Sequence, residues 1–464
     1  MGLFRKDLDA INSLRSEKKT WLFFLIFCVL SATGHGLIGY CWSRSQIGEL
    51  ILTFAPLFLL YTIVILKQWP TKWIKRLMWV GVGLRLVFLM ATPALSDDYF
   101  RFIWDGRLLA SGYNPYLYLP SEILHTSIAK EANLTQALYE GLNSPHYFTV
   151  YPPLNQLIFG VAAGLGQGSV LISILVLRLF IIAAEVGSLC IMASFRWPKY
   201  LQKSRREIVL VYALNPFVIM ELVGNLHFEA VTLFFVLLAL RGLMSLSKMP
   251  FQYPKSAVAL GLGASVKLIP LIFLPLIVSR IGLLKGVKYS MITIGVVLVL
   301  FMPFMSEALF HNFGKSLDLY FQKFEFNASI YYLLREVGFW LTGYNIIQVL
   351  GPVLSLTTLV GVGWLALQRQ NLLEQMLLAL TLYFLLATTV HPWYITTLVA
   401  LGALTQRWYT LVWSALLPLT YVAYLSQPYQ ENLRMVTLEY LLVFGCLSYE
   451  FFLKGIDWEK PNLP

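Results

Sequence analysis

Two adjacent carboxylates, Asp97 and Asp98, stand where an apolar stretch ends, followed by Arg101, Asp105 and Arg107. The whole chain is only 13% charged, so this cluster asks for chemistry. A carboxylate beside another one, and near low-dielectric lipid, has a raised proton affinity and suits a general base. If a helix starts at Asp97, then Asp97, Arg101 and Asp105 fall four apart on one face, with Trp104 and Leu108 beside them. The plain alternative is an interfacial helix laced by exposed ion pairs, each worth little.

Other polar residues interrupt apolar sequence in the same way. His227 and Glu229 lie two apart in the turn Gly224-Asn225-Leu226-His227-Phe228-Glu229; with Asp98 they would make a possible site for a divalent metal ion, or they cap the next helix. Lys267 lies in the middle of an apolar region, where an unpaired charge is costly; it is a functional candidate unless it snorkels to the interface. His391 opens the turn His391-Pro392-Trp393-Tyr394, as a ligand for charge or as part of an aromatic interfacial anchor. A loop holding Phe324-Glu325-Phe326-Asn327 and Arg335 completes the set.

The elements that must position these residues are membrane spans. Of 464 residues, 58% are hydrophobic, and apolar runs repeatedly reach the roughly 18–20 residues needed to cross a bilayer. The expectation is an all-α polytopic membrane protein, one transmembrane catalytic domain over 1–464, with about 11–13 spans. The net charge of +11 collects in short links between spans, as the positive-inside pattern requires, which argues for topology and against a nucleic-acid partner. Of the four cysteines, Cys28, Cys190 and Cys446 lie inside apolar segments and Cys41 at the end of one, without metal-ligand spacing.

Residues 3 to 15 put Phe4, Leu8 and Ile11 on one face among basic residues, as an interfacial helix or a basic tail would. Apolar segments follow at about Trp21–Tyr40, Ile47–Leu66 and Leu77–Ala94. With the N-terminus and the link Lys67–Arg76 both cytoplasmic, Asp97 emerges outside. The apolar run after Tyr151-Pro152-Pro153-Leu154 is too short to span and reads as a juxtamembrane or re-entrant helix, followed by a span at Val170–Phe195 and the basic link Arg196–Arg206. Spans at about Ile208–Val223 and Ala230–Leu246 enclose the His227 turn. The region Ala257–Ser279, broken at Lys267-Leu268-Ile269-Pro270, reads as a broken hairpin or a kinked span. A span at Tyr289–Met305 leads to a second loop, and further spans start near Asn345, Leu372, Trp393, Thr410 and Met435, with Lys454 inside. External loops at about 95–151 and 306–344 share one side, which is therefore the working face. Asn133-Leu134-Thr135 and Asn327-Ala328-Ser329 match the glycosylation triplet, a pattern frequent by chance.

Asp97-Asp98, the amphipathic stretch to Ser111-Gly112, Asn114-Pro115-Tyr116 and Tyr151-Pro152-Pro153-Leu154 together resemble the first external loop of GT-C fold glycosyltransferases, which use polyprenyl-phosphate sugars. The chain is similar to their bacterial mannosyltransferase-like branch, closely over its N-terminal third and by topology beyond it. Gly112 is spaced from Asp97 as the matching glycine is from the catalytic aspartate of lipid A aminoarabinose transferases, which favours Asp97; Asp98-Tyr99 instead matches the Asp-Tyr of lumenal glucosyl- and mannosyltransferases.

The resemblance implies inverting transfer of a monosaccharide, a hexose such as mannose, from a polyprenyl-phosphate carrier to a glycan, lipid or protein acceptor on the periplasmic or lumenal side of a bacterial inner membrane. Both termini would be cytoplasmic. Asp97 or Asp98 would be the base, and no cofactor is needed beyond a possible divalent metal ion. Negative charge growing on the phosphate needs partners, for which Arg101, His227, Glu229, Lys267, Asn327, Arg335, His391 and Tyr394 are the candidates. A transporter or lipid-linked sugar flippase would spread charge through its spans and show repeats, neither of which is seen here. A ligase or polymerase of another membrane fold would carry its large external loop late in the chain.

Overall fold

A computed structural model describes residues 2–195, 205–244, 252–322, 324–368, 371–426 and 429–453. The basic link after Phe195 lies largely outside the described residues, as does Lys454, and so do the side chains of the N-terminal basic segment. That segment's backbone continues without a break into the first span, as one helix Gly2–Tyr40.

The architecture is all-α, the polytopic membrane class expected; among the described residues the only β pairing is an isolated bridge between Phe326 and Thr389. Among the described residues, five helices are long and apolar enough to cross a membrane: Glu17–Tyr40, Ile47–Leu66, Val170–Ser194, Leu283–Phe304 and Ile347–Leu367. A sixth span results if Pro216–Gly224 and Glu229–Met244, bent by 112°, count as one. Other expected spans appear as shorter apolar helices, Ile269–Ile281, Leu372–Leu386, Pro392–Thr405 and Tyr409–Leu425, because their apolar runs are divided. Proline sits in the first turn of the short pieces Pro216–Val218, Ile269–Phe273, Pro392–Ile395 and Leu417–Leu425, where its missing N–H is tolerated and its ring stops the preceding helix. The expected third span, Leu77–Ala94, is instead a helix over Thr71–Val87 that ends ahead of Pro93.

Two buried arginines fix the bundle below the loops. Arg85 donates to Glu185 at 2.7 Å and to the carbonyl of Ala213 at 2.7 Å, and the Tyr212 hydroxyl donates to the same Glu185 at 2.6 Å. Each partner is satisfied, which is the condition for keeping charge in such a place. Arg178 donates to the carbonyls of Val223, Gly224 and Leu89. It thereby closes the end of the π-helical turn Ile219–Gly224, whose carbonyls have no following helix to receive them. The His227 turn starts from this anchored point.

The first long loop is a packed structure. Its leading element, the acidic helix Asp98–Ala110, lies against the helix Pro153–Gly166 at a distance only glycine permits, since a Cβ on Gly106 would meet the Phe159 carbonyl oxygen at 2.2 Å. Asn114 caps the short turn Pro115–Leu117 and donates to the Phe304 carbonyl, while Asn312 donates to the Tyr116 carbonyl. These bonds tie the first loop to the second.

Candidate active site

The acidic helix begins at the carboxylate pair, and its two members face different neighbours. Asp97 takes the cap position without a capping side-chain bond and pairs with Arg44 at 2.5 Å. Asp98 accepts a hydrogen bond from Asn143 at 2.9 Å and lies deep among protein atoms while keeping partial access to solvent. Burial raises its proton affinity; Asn143 and the charge of Lys267 work against that, and Glu229 and Asp97 add to it.

Arg101 corrects the expected one-face pairing. It donates to Asp105 at 2.8 Å and to the carbonyls of Ser144 and Tyr147, and does not reach Asp97. Asp105 is fully buried and also accepts from Gln156. The i, i+4 spacing therefore makes an internal clamp: Arg101 holds the segment that follows Asn143 and acts on Asp98 through it. Arg101 is buried, and one of its guanidinium nitrogens has no hydrogen-bond partner.

Lys267 reaches the same place from the other half of the chain. The helix Gln252–Ala264 stops one residue before Ser265, and two carbonyls in the break are taken up by the Tyr-Pro-Pro-Leu turn: Leu154 N–H donates to Ser265 and Asn155 to Val266. Lys267 leaves this supported break, donates to Glu229, and lies 5.0 Å from the ring centre of Tyr394. Glu229 stands at the start of the helix Glu229–Met244, where a carboxylate is favoured by the helix dipole.

Trp393 lies between two histidines, stacked on His227 with centroids 3.8 Å apart and on His391 at 4.6 Å. Burial and the nearby Lys267 charge lower both imidazoles, His227 well below its ordinary value and His391 to about 3. Both shifts favour the neutral imidazole, which offers hydrogen bonds rather than positive charge. The second loop meets them through Phe326, whose N–H donates to Thr388 and whose carbonyl accepts from Val390, so that its ring rests on His391 at 5.1 Å.

Six sequence-selected residues, Asp98, His227, Glu229, Lys267, His391 and Tyr394, thus meet at one end of the bundle. Asp97 lies at the edge of this cluster. Arg335 is elsewhere, bonded to Glu325 and Glu336 and packed over Tyr332. Asn327 also serves locally: its N–H donates to Glu431 and its side chain to Glu439. The suggested metal set does not assemble. Among the described residues no three His, Cys, Asp or Glu side chains converge for an ion, and Glu229 is engaged by Lys267 while the nearest carboxylate to His227 is Glu221, at 3.8 Å.

Arg44 and Asn143 were missed from the sequence. Arg44 carried a signal, being a cation in the link after the first span, on the side opposite the basic links. Asn143 carried none, since its contact with Asp98 spans 45 residues of loop.

Residues 16–282, more than half of the chain, match the model of a family described as alpha-(1->6)-mannopyranosyltransferase, N-terminal domain. A comparison with curated proteins finds no match. The matched span contains Arg44, both aspartates, Asn143, His227, Glu229 and Lys267, and ends before His391.

Proposed function

Since the chain belongs to the alpha-(1->6)-mannopyranosyltransferase family and is a mannosyltransferase of GT-C type, we propose that it moves mannose from a polyprenyl-phosphate carrier to a glycan acceptor by inverting transfer at the loop end of the bundle, on the periplasmic side. The observation that carries the reading is the gathering of Asp98, Lys267, Glu229 and the stacked His227, Trp393 and His391 rings at one end of the bundle. Asp98 takes the proton of an acceptor hydroxyl. That oxygen forms its bond to the anomeric carbon as the bond from that carbon to the phosphate oxygen breaks, and polyprenyl phosphate leaves with the bonding pair. Phosphate leaves well unaided, so a general acid is not needed; its growing charge is met by Lys267, freed in part from Glu229, and by hydrogen bonds from the imidazoles. Asp97 and Arg44 flank the entrance.

The reading is tested by supplying purified protein with radiolabelled mannose as polyprenyl-phosphate mannose or as GDP-mannose. Transfer to an oligomannoside with release of polyprenyl phosphate is expected from the first only. Transfer from the nucleotide sugar alone, or from neither, overturns it.

Asn143 supplies a finer test. Its hydrogen bond favours the charged form of Asp98, so removing it in Asn143→Ala raises the proton affinity further. Since the base must be ionised, activity is lost as pH falls through its pKa, and that acid limb lies above the 3.8 of an ordinary aspartate. In Asn143→Ala the acid limb of kcat/KM is expected to move to higher pH, with the rate on its plateau reduced less than at acid pH.

A further inference from the structure

A groove of about 560 Å³, open to the surface, is lined by Val422, Leu425, Ser426, Gln430, Glu431 and Arg434 among others. Its chemistry is mixed along its length. Leucine and valine offer apolar wall, while Gln430, Glu431 and Arg434 offer an amide, a carboxylate and a guanidinium. Such a combination matches a sugar chain, whose rings present C–H faces to apolar walls and hydroxyls to paired donors and acceptors.

The groove is held by fixed polar groups and is connected to the site by aromatic rings. Glu431 is oriented from behind, accepting from the N–H of Asn327 at 2.6 Å and from the hydroxyl of Tyr332, so its carboxylate is held rather than mobile. The Asn327 side-chain oxygen is fully buried and without a partner, a cost that native structures accept for a reason. Finally, aromatic rings lead from the groove to the centre in close succession: Tyr424 to Tyr429 at 5.6 Å, Tyr429 to Phe326 at 6.0 Å, Phe326 to His391 at 5.1 Å, then Trp393 and His227. Within this series Tyr429 is 45% exposed, and Arg44 lies over Tyr424, 4.9 Å from its centre, while also pairing with Asp97. Through Tyr424, next in sequence to the groove residue Leu425, the groove is connected to the Arg44–Asp97 pair.

We propose that this groove is the seat of the acceptor glycan: an oligosaccharide of the mannan type lies along Gln430, Glu431 and Arg434, with Tyr424 and Tyr429 as its platform, and presents its terminal hydroxyl toward Asp98. The proposal rests on the mannosyl-transfer reading above and adds where the acceptor binds and how its length is sensed. Gln430 and Arg434 are exposed, so replacing them leaves the packed interior intact.

The test is direct binding of α-(1→6)-linked mannotetraose to the full chain in detergent, by saturation-transfer NMR and calorimetry, in the parent, in the double variant Gln430→Ala/Arg434→Ala, and in Asp98→Asn. Binding is expected in the parent, weakened at least tenfold in the double variant, and retained in Asp98→Asn. Absence of binding in the parent, or equal binding by the double variant, overturns the groove. So does displacement of bound tetraose by a short-chain polyprenyl phosphate in the double variant and parent alike, which would give the groove to the donor. Because the readout needs no turnover, failure here is distinct from failure of the catalytic reading, which the donor assay reports. In turnover, the parent is expected to prefer tetraose to methyl mannoside, and the double variant to lose that preference through a raised KM for tetraose.

Discussion

Asp98→Asn is expected to lower mannosyl transfer by about 10²–10⁴-fold, the range a general base contributes, with the apparent affinity for donor little altered. The amide keeps the size of the side chain and its place at the start of the acidic helix, but it cannot accept a proton. Asp97→Asn removes one member of a half-exposed ion pair with Arg44, a contact of the kind worth about 0–1 kcal/mol, and is expected to cost the reaction less than about tenfold. The contrast is the point of the experiment, because the glycine spacing favours Asp97 and the electrostatic setting favours Asp98. Both variants are compared with the parent as purified protein, with thermal unfolding as the check on folding. Equal losses in the two, or a larger loss in Asp97→Asn, would move the base to Asp97.

The second large effect is expected at Lys267. Its ammonium group is paired with Glu229 in a setting that is mostly, though not wholly, shielded from solvent. Lys267→Met removes the one cation of the inner cluster and leaves the Glu229 carboxylate behind. Breaking a buried pair from one side costs about 3–5 kcal/mol, and partial exposure of Lys267 reduces that here. Loss of the charge facing the departing phosphate is expected to slow transfer by about 10²–10³-fold, as removal of one preorganised donor does elsewhere. These two consequences are separable. In Lys267→Met/Glu229→Gln no charge is left unpaired, so stability is expected to return while transfer stays low. Recovery of transfer in the double variant would mean that Lys267 serves the fold alone. Arg101 offers an internal comparison, since it lies on the same helix as Asp98 but spends its donors on Asp105 and loop carbonyls.

Much of this site was legible in the residues themselves, because a membrane makes polar choices conspicuous. A lysine inside an apolar stretch, two histidines in turns between spans and a carboxylate pair at the end of one all stand out against lipid, where charge is expensive. Composition and run length likewise determined an all-helical membrane protein, and the Tyr-Pro-Pro-Leu turn marked the start of a helix too short to cross.

What the sequence could not determine is which of these residues meet. The i, i+4 rule correctly paired Arg101 with Asp105 but also offered Asp97, and tertiary contacts decided against that choice: the Ser144 and Tyr147 carbonyls draw the guanidinium inward, while Arg44 captures Asp97. The division of apolar runs has a related reason. Hydrophobicity measures only the tendency to leave water, whereas prolines and paired carbonyls determine whether an apolar run stays one helix. Asn143, Trp393 as the plate between two histidines, and the groove near Glu431 are products of long-range packing. Their partners lie tens to hundreds of residues away, and no local pattern encodes such distances. The chain alone thus specified the chemical groups and the medium; the fold set the different surroundings of Asp98 and its neighbour, because burial acts on an atom's surroundings and not on its place in the sequence.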